Sequence, residues 1–222
     1  MTTAQTTSVA GIIETGIYTP AEVGRWVGLP SATVRRWIRA SQPAAPAGSA
    51  GLASFAEFAE IVLVHALLQR GVTFKAIQRA HRQAVDEFGI AHPFAWKELL
   101  ADGQGVLQAL SGASGNGKAR PEPAGGSRSL ARTIEQSFRT MDFDAESHLA
   151  MRWWPLGKSK PVSVDPAVAF GAPVIAGTRI PVRNILGALG AGETSKSVCW
   201  WYNLRPKDVA AAVLFGQRGK AA

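Results

Sequence analysis

The chain has 222 residues, a net charge of +8 and 46% hydrophobic residues with only 18% charged ones. That apolar share excludes a mostly disordered chain, and the length predicts one or two domains. No apolar run reaches the roughly 18 residues of a membrane span, and the first residues (MTTAQTTSVAGII) lack the basic region and long apolar core of a signal peptide, so a cytoplasmic protein with no membrane partner is expected. The single cysteine, Cys199, excludes an internal disulfide and a multi-cysteine zinc site. The excess charge is localised: +3 falls in residues 17–40 and +5 in residues 166–222. Concentrated positive charge of this kind is a candidate phosphate-binding footprint.

In chain order, Thr19 is placed to cap a helix with Pro20 at its first position, and Val23, Trp26 and Val27 recur at the spacing of a buried stripe. Gly28-Leu29-Pro30 breaks the chain, and Ser31 reads as the cap of a second helix with Val34, Trp37 and Ile38 inside. This is helix-turn-helix spacing. At about 100° per residue, the opposite face carries Ala32, Arg36 and Arg39, with Arg35 and Thr33 on its flanks. Ser31, Thr33, Arg35, Arg36 and Arg39 are therefore the candidate DNA ligands, because arginine forks pair with base edges and phosphates.

Beyond the Ala/Pro/Gly-rich stretch 40–53, Ser54 is expected to cap a strongly apolar helix over 55–69, and Thr73 another that carries Ile77, Ala80, Ala84, Val85 and Phe88 before Gly89. Residues 96–110 contain Asp102-Gly103 between two apolar runs, which signals a hairpin, although helix also suits that stretch. Residues 111–129, dominated by Gly, Ser and Pro, read as a linker. Within it, Gly112 to Lys118 mimics a phosphate-binding loop, but Ala119 stands where the magnesium-ligating hydroxyl belongs and Pro121 and Pro123 would break the helix that must follow.

Past the linker, 130–141 reads as a helix, 148–154 and 162–164 as extended, and the Asp142-x-Asp144-x-Glu146 run as a solvated helix end. Val174-Ile175 reads as a short strand between tight turns, in which Arg179 is expected to pin the turn. Three short helices then start near Pro181, at Thr194 or Ser195, and at Pro206. The fold expected is mainly α with short β elements: residues 1–110 as an N-terminal helix-turn-helix domain, 111–129 as linker, and 130–222 as a small C-terminal unit of helix-turn-helix-like spacing.

Gly171, Pro173, Ile175, Gly177, Thr178, Arg179, Ile180 and Pro181 fill the pattern G-x-P-x-I-x-G-T-R-I-P, followed by Leu186, Gly192 and Leu204-Arg205-Pro206-Lys207-Asp208-Val209. In these residues the chain resembles the VapB-type antitoxins that carry a small C-terminal domain of unknown function. Residues 18–39 resemble the MerR-like helix-turn-helix of the longer members, with Ser54-Phe55 and His92 to Ala95 as weaker matches. The resemblance implies a non-enzymatic repressor that binds its operator DNA, neutralises a PIN-domain ribonuclease toxin, and works as a homodimer or a larger toxin–antitoxin assembly. The alternative is a MerR-like regulator without a toxin.

One departure stands out against relatives with acidic and alanine residues at this place. Val198-Cys199-Trp200-Trp201-Tyr202 puts three aromatics in a row, which cannot all face one side of a helix, so at least one is expected to be exposed unless a partner covers it. Trp200 and Trp201, with Arg183, Lys196, Arg205, Lys207 and Arg218, are candidate partner- or DNA-binding residues. His65, His81, His92 and His148 lack metal-ligand spacing, and His65 reads as a satisfied, partly buried histidine. No catalytic residue, metal or cofactor is expected, which also argues against a third reading as a metal-dependent hydrolase.

Overall fold

A computed structural model of the protein describes residues 11, 13, 17–41, 51–101, 106, 110 and 126–218. Helix α1 spans Pro20–Val27. Its start is a reciprocal cap: the Glu22 N–H donates to Thr19 Oγ1 at 3.2 Å and the Thr19 N–H to the Glu22 carboxylate at 3.1 Å. Gly28, at φ 95°, ends it in the left-handed conformation and turns the chain into α2, Ser31–Ser41. Here Pro30, not Ser31, takes the cap position, because the Pro30 carbonyl accepts the first helical bond from the Val34 N–H.

Helix α3, Phe55–Gln69, has the expected Ser54 cap, reinforced by Glu57. Apolar on almost every side, it runs through the middle of the molecule, against α2, α4 (Phe74–Phe88) and α6 (Gly126–Arg139). Thr73 and Gly89 bound α4 as expected, with Ile77, Ala80 and Ala84 buried, but Phe88 is exposed and leans on Trp96 with ring centroids 5.7 Å apart.

The hairpin expected from residue 96 onward does not form over its first strand. After a 3-10 turn at Pro93–Ala95, Lys97–Ala101 is helix α5, as suits a run of good helix formers; the Asp102-Gly103 turn lies outside the described residues. Helix α6 begins at Gly126, within the stretch read as a linker; residues 111–125, including the Gly112 to Lys118 run, lie outside the described residues. The helix is drawn back into this stretch by its inner face, where Leu130, Thr133, Ile134 and Ser137 are buried.

Two small antiparallel sheets follow. Strand β1 (Met141–Phe143) pairs with β2 (Ala150–Trp153), and β3 (Val162–Ser163) with β4 (Val174–Ile175). Trp153 and Val164 exchange both backbone hydrogen bonds at 2.9 Å and so join the two sheets. The acidic run is not a solvated helix end. Asp142 lies in β1, 2.6 Å from Lys158 Nζ and accepting the Trp154 indole N–H at 2.8 Å, while Asp144 caps its own turn at Ser147. Helices α7 (Val182–Gly190), α8 (Ser195–Tyr202) and α9 (Pro206–Arg218) complete the chain.

The protein is therefore mainly helical with short β elements, and one buried cluster runs from Tyr18 and Phe58 through Trp153 to Ile185 and Phe215. The Phe58 and Trp153 rings meet edge to face at 5.1 Å. Among the described residues no helix is long and apolar enough to cross a membrane.

Candidate nucleic-acid and partner interface

On α2 the three apolar side chains Val34, Trp37 and Ile38 are buried, which leaves Arg35, Arg36 and Arg39 outside and Ser31 and Thr33 half-buried. None of the three arginines has an ion-pair partner among the described residues. They are not equivalent, however. The Arg36 guanidinium lies 3.6 Å from the centroid of the Phe74 ring, so its flat face is held sideways by α4. Arg39 donates from Nε to the Arg35 carbonyl at 3.4 Å, which leaves its terminal nitrogens outward.

What orients α2 is a buried polar hub that the sequence spacing did not reveal. The Glu60 carboxylate, on α3, accepts from the Trp37 indole N–H at 3.3 Å and from the Phe94 N–H at 3.4 Å, and lies 2.8 Å from His81 Nε2 and 3.6 Å from His92 Nδ1. Burial alone would raise this carboxyl, but the charge and hydrogen bond of His81, seconded by His92, outweigh it and bring it down to about 2. Trp37 is stacked on Phe94 and meets the His81 and Phe74 rings edge-on. Glu57 adds a second tie, accepting from the Ser54 N–H at 2.8 Å and the Ser41 hydroxyl at 3.1 Å, so the end of α2 is fastened to the start of α3. The available signal was local: two carboxylates three residues apart in the otherwise apolar 55–64 run are expensive to bury unless bonded.

In the C-terminal unit the turn before α7 is pinned by Thr178 and not by Arg179. The Thr178 hydroxyl donates to the Ile175 carbonyl at 2.7 Å and accepts from the Ile180 N–H at 3.1 Å, whereas Arg179 is exposed and unpaired among the described residues. A three-atom side chain with a hydroxyl fits inside the turn; a guanidinium does not. Arg183, Lys196 and Lys207 point to solvent. Arg205 is committed within the chain, gripping Asp208 through two guanidinium nitrogens at 3.0 and 3.1 Å at the start of α9. Arg218 sits in the last turn of α9 and donates to the Pro155 carbonyl. Beside it, His65 is half-buried against the Gly28 turn, and burial, then the Arg218 charge, lowers its pKa. It is partly buried, as expected, and none of its ring nitrogens is a buried atom left without a partner. Trp200 and Trp201 are 80% and 50% exposed, in line with the crowding of three aromatics on a short helix.

Residues 162–215, from β3 into α9, match a family model described as "Protein of unknown function (DUF433)". Over 223 aligned residues the chain is 26% identical to "Putative antitoxin VapB45" of Mycobacterium tuberculosis, with 89% of this chain and 92% of that protein covered. The chain is thus similar, over nearly its whole length, to a protein named as an antitoxin. Its fold is shared as well. The crystal structure of Rv2018 from Mycobacterium tuberculosis superposes with a TM-score of 0.71 at 26% identity, over 90% of this chain and 99% of that one. The matched segment contains the whole Gly171 to Pro181 turn region, Trp200, Trp201 and the exposed cations Arg183, Lys196 and Lys207. The arginine-bearing helix α2 lies outside that segment, in the part shared only with the full-length relatives.

Proposed function

We propose that the chain is the antitoxin of a type II toxin–antitoxin pair, which binds and neutralises a PIN-domain ribonuclease toxin and represses its own operon by binding operator DNA. The observation that carries the reading is similarity over nearly the whole length of a relative named as an antitoxin, and not over the C-terminal segment alone. Residues 1–110 serve as the DNA-binding unit and residues 130–222 as the unit that dimerises, holds the toxin, or both. A toxin-free MerR-like regulator would be expected to dimerise through a long helix after its DNA-binding part; Phe74–Phe88 is only 15 residues long and ends at Gly89.

Co-expression with the adjacent reading frame tests the antitoxin role directly. The neighbour alone should arrest growth, and this chain should rescue growth and co-purify with it. A harmless neighbour that never co-purifies overturns the reading.

For the DNA arm, the double variant Arg36→Ala with Arg39→Ala is expected to weaken operator binding at least about tenfold and to lower the salt slope by about 1 to 2, roughly one for each phosphate no longer neutralised. Arg39→Ala alone should account for more of that loss than Arg36→Ala, because the Arg36 guanidinium is already engaged on Phe74. Binding measured across a salt series checks both statements. Unchanged binding would move the DNA-facing surface to Arg183, Lys196 and Lys207.

A further inference from the structure

A groove of about 470 Å³ lies where α1 meets α7 and α9, walled by Ile17, Trp26 and Leu186 and rimmed by Arg25 and Arg183. Phe170 stands at its edge. Ala169 and Phe170 both adopt the left-handed region, at φ 48° and 55°, directly before Gly171 at 73°. Two successive non-glycine residues in this region are held against their own preference, one of them bulky. The loop bonds within itself, the Gly171 and Ala172 N–H groups donating to the Val168 and Ala169 carbonyls, but the Phe170 side chain takes no part in the interior and is 97% exposed. Backbone strain that displays a large apolar side chain beside a concave apolar wall is the arrangement of a contact completed from outside.

We propose that this groove seats an acidic segment of the partner protein, with one apolar side chain of that segment packed between Phe170 and Trp26. The proposal rests on the antitoxin reading above and names the seat of its partner. Charge selects the occupant. Arg25 and Arg183 are exposed and have no carboxylate partner among the described residues. The one carboxylate of the wall, Glu22, is occupied by its cap, accepting from the Thr19 N–H at 3.1 Å and the Thr19 hydroxyl at 2.7 Å. A second copy of this chain, at +8, is a poor match for such a rim. A concave apolar wall with two cations suits a side chain better than a phosphate backbone, which needs several cations along an open surface.

The test uses the full chain and the purified product of the adjacent reading frame. Phe170→Gly should raise the melting temperature of the chain by about 2 to 6 °C, as left-handed strain is released. The same substitution should weaken partner binding by about ten- to a hundredfold. Arg25→Glu with Arg183→Glu should cost at least about tenfold and reverse the salt dependence of association. A purely structural phenylalanine would move stability and affinity in the same direction. Wild-type binding that survives both sets of variants overturns the proposal and leaves the antitoxin reading standing, most directly if Trp200→Ala with Trp201→Ala abolishes it. Wild-type chain that binds no product of the adjacent frame removes the antitoxin reading itself. A Phe170→Gly chain that keeps its partner but loses operator binding, or changes its mass in solution, assigns the loop to nucleic acid or to a second copy, and either result overturns the proposal.

Discussion

Glu60→Ala is expected to destabilise the protein by about 3 to 5 kcal/mol, because removing one member of a buried charged network leaves the others without partners. The Trp37 indole N–H, the Phe94 N–H and the His81 ring would each face the emptied site. Glu60→Gln keeps the shape and one carbonyl acceptor, so its cost should be smaller. Urea unfolding of the two variants ranks them, and equal, small losses would show that the hub contributes little. The effect should reach α2 as well as overall stability, since Trp37 is the α2 side chain that touches the hub and lies on the same helix as Arg35, Arg36 and Arg39.

The same carboxylate sets an acid limit. Its folded-state value of about 2 lies below the ordinary 4.5, so its contribution is complete above pH 4.5 and is lost as pH falls toward 2. A difference of that size corresponds to roughly 3 kcal/mol. The stability gap between wild type and Glu60→Gln should therefore narrow as pH is lowered from 5 to 3, and a constant gap over that range would contradict it.

The helix-turn-helix was legible because everything that makes it is local. Thr19, Glu22 and Pro20 start α1, Gly28 ends it, and the apolar spacing fixes which face of α2 is outside. The hub was not legible, because Trp37, Glu60, His81 and Phe94 meet only after four segments have packed, and no spacing rule links residues 21 to 34 positions apart. Arg36 shows the same limit at a single residue. Periodicity puts it on the outer face, but the Phe74 ring that captures it comes from the next helical layer. Local signals also competed with one another. Asp102-Gly103 argued for a hairpin while Lys97 to Ala101 carried helix propensity, and propensity prevailed over that stretch. Trp200 and Trp201 were foreseeable as exposed because adjacency is a geometric constraint, whereas the left-handed backbone that displays Phe170 leaves no mark in residue types beyond the glycine that follows it.

That glycine is where the two halves of the chain come closest to a steric limit, and Gly171→Ala should reveal it. A Cβ added at Gly171 would stand 2.3 Å from the Tyr18 hydroxyl oxygen, 2.7 Å from Cζ and 2.8 Å from Cε1. Tyr18 cannot withdraw, since its ring is packed on Phe58, Phe55 and Trp26 with centroids 5.4 to 6.1 Å away. The backbone at φ 73° adds the left-handed cost of about 1 to 2 kcal/mol, and the overpacking roughly 1 to 3 kcal/mol more. The expected loss is about 2 to 5 kcal/mol, measured by denaturant unfolding. Tyr18→Phe separates the two causes. On its own it should be close to neutral, because the buried hydroxyl it removes has no hydrogen-bond partner among the described residues. Combined with Gly171→Ala it removes the shortest of the three approaches and should return about 1 kcal/mol of the loss, a coupling visible in a double-mutant cycle. The backbone part should remain. Tyr18 leads into α1 and Gly171 lies in the matched family segment, so a coupling of that size would measure how firmly the helix-turn-helix is seated on that segment, and zero coupling would mean that the two move apart to make room.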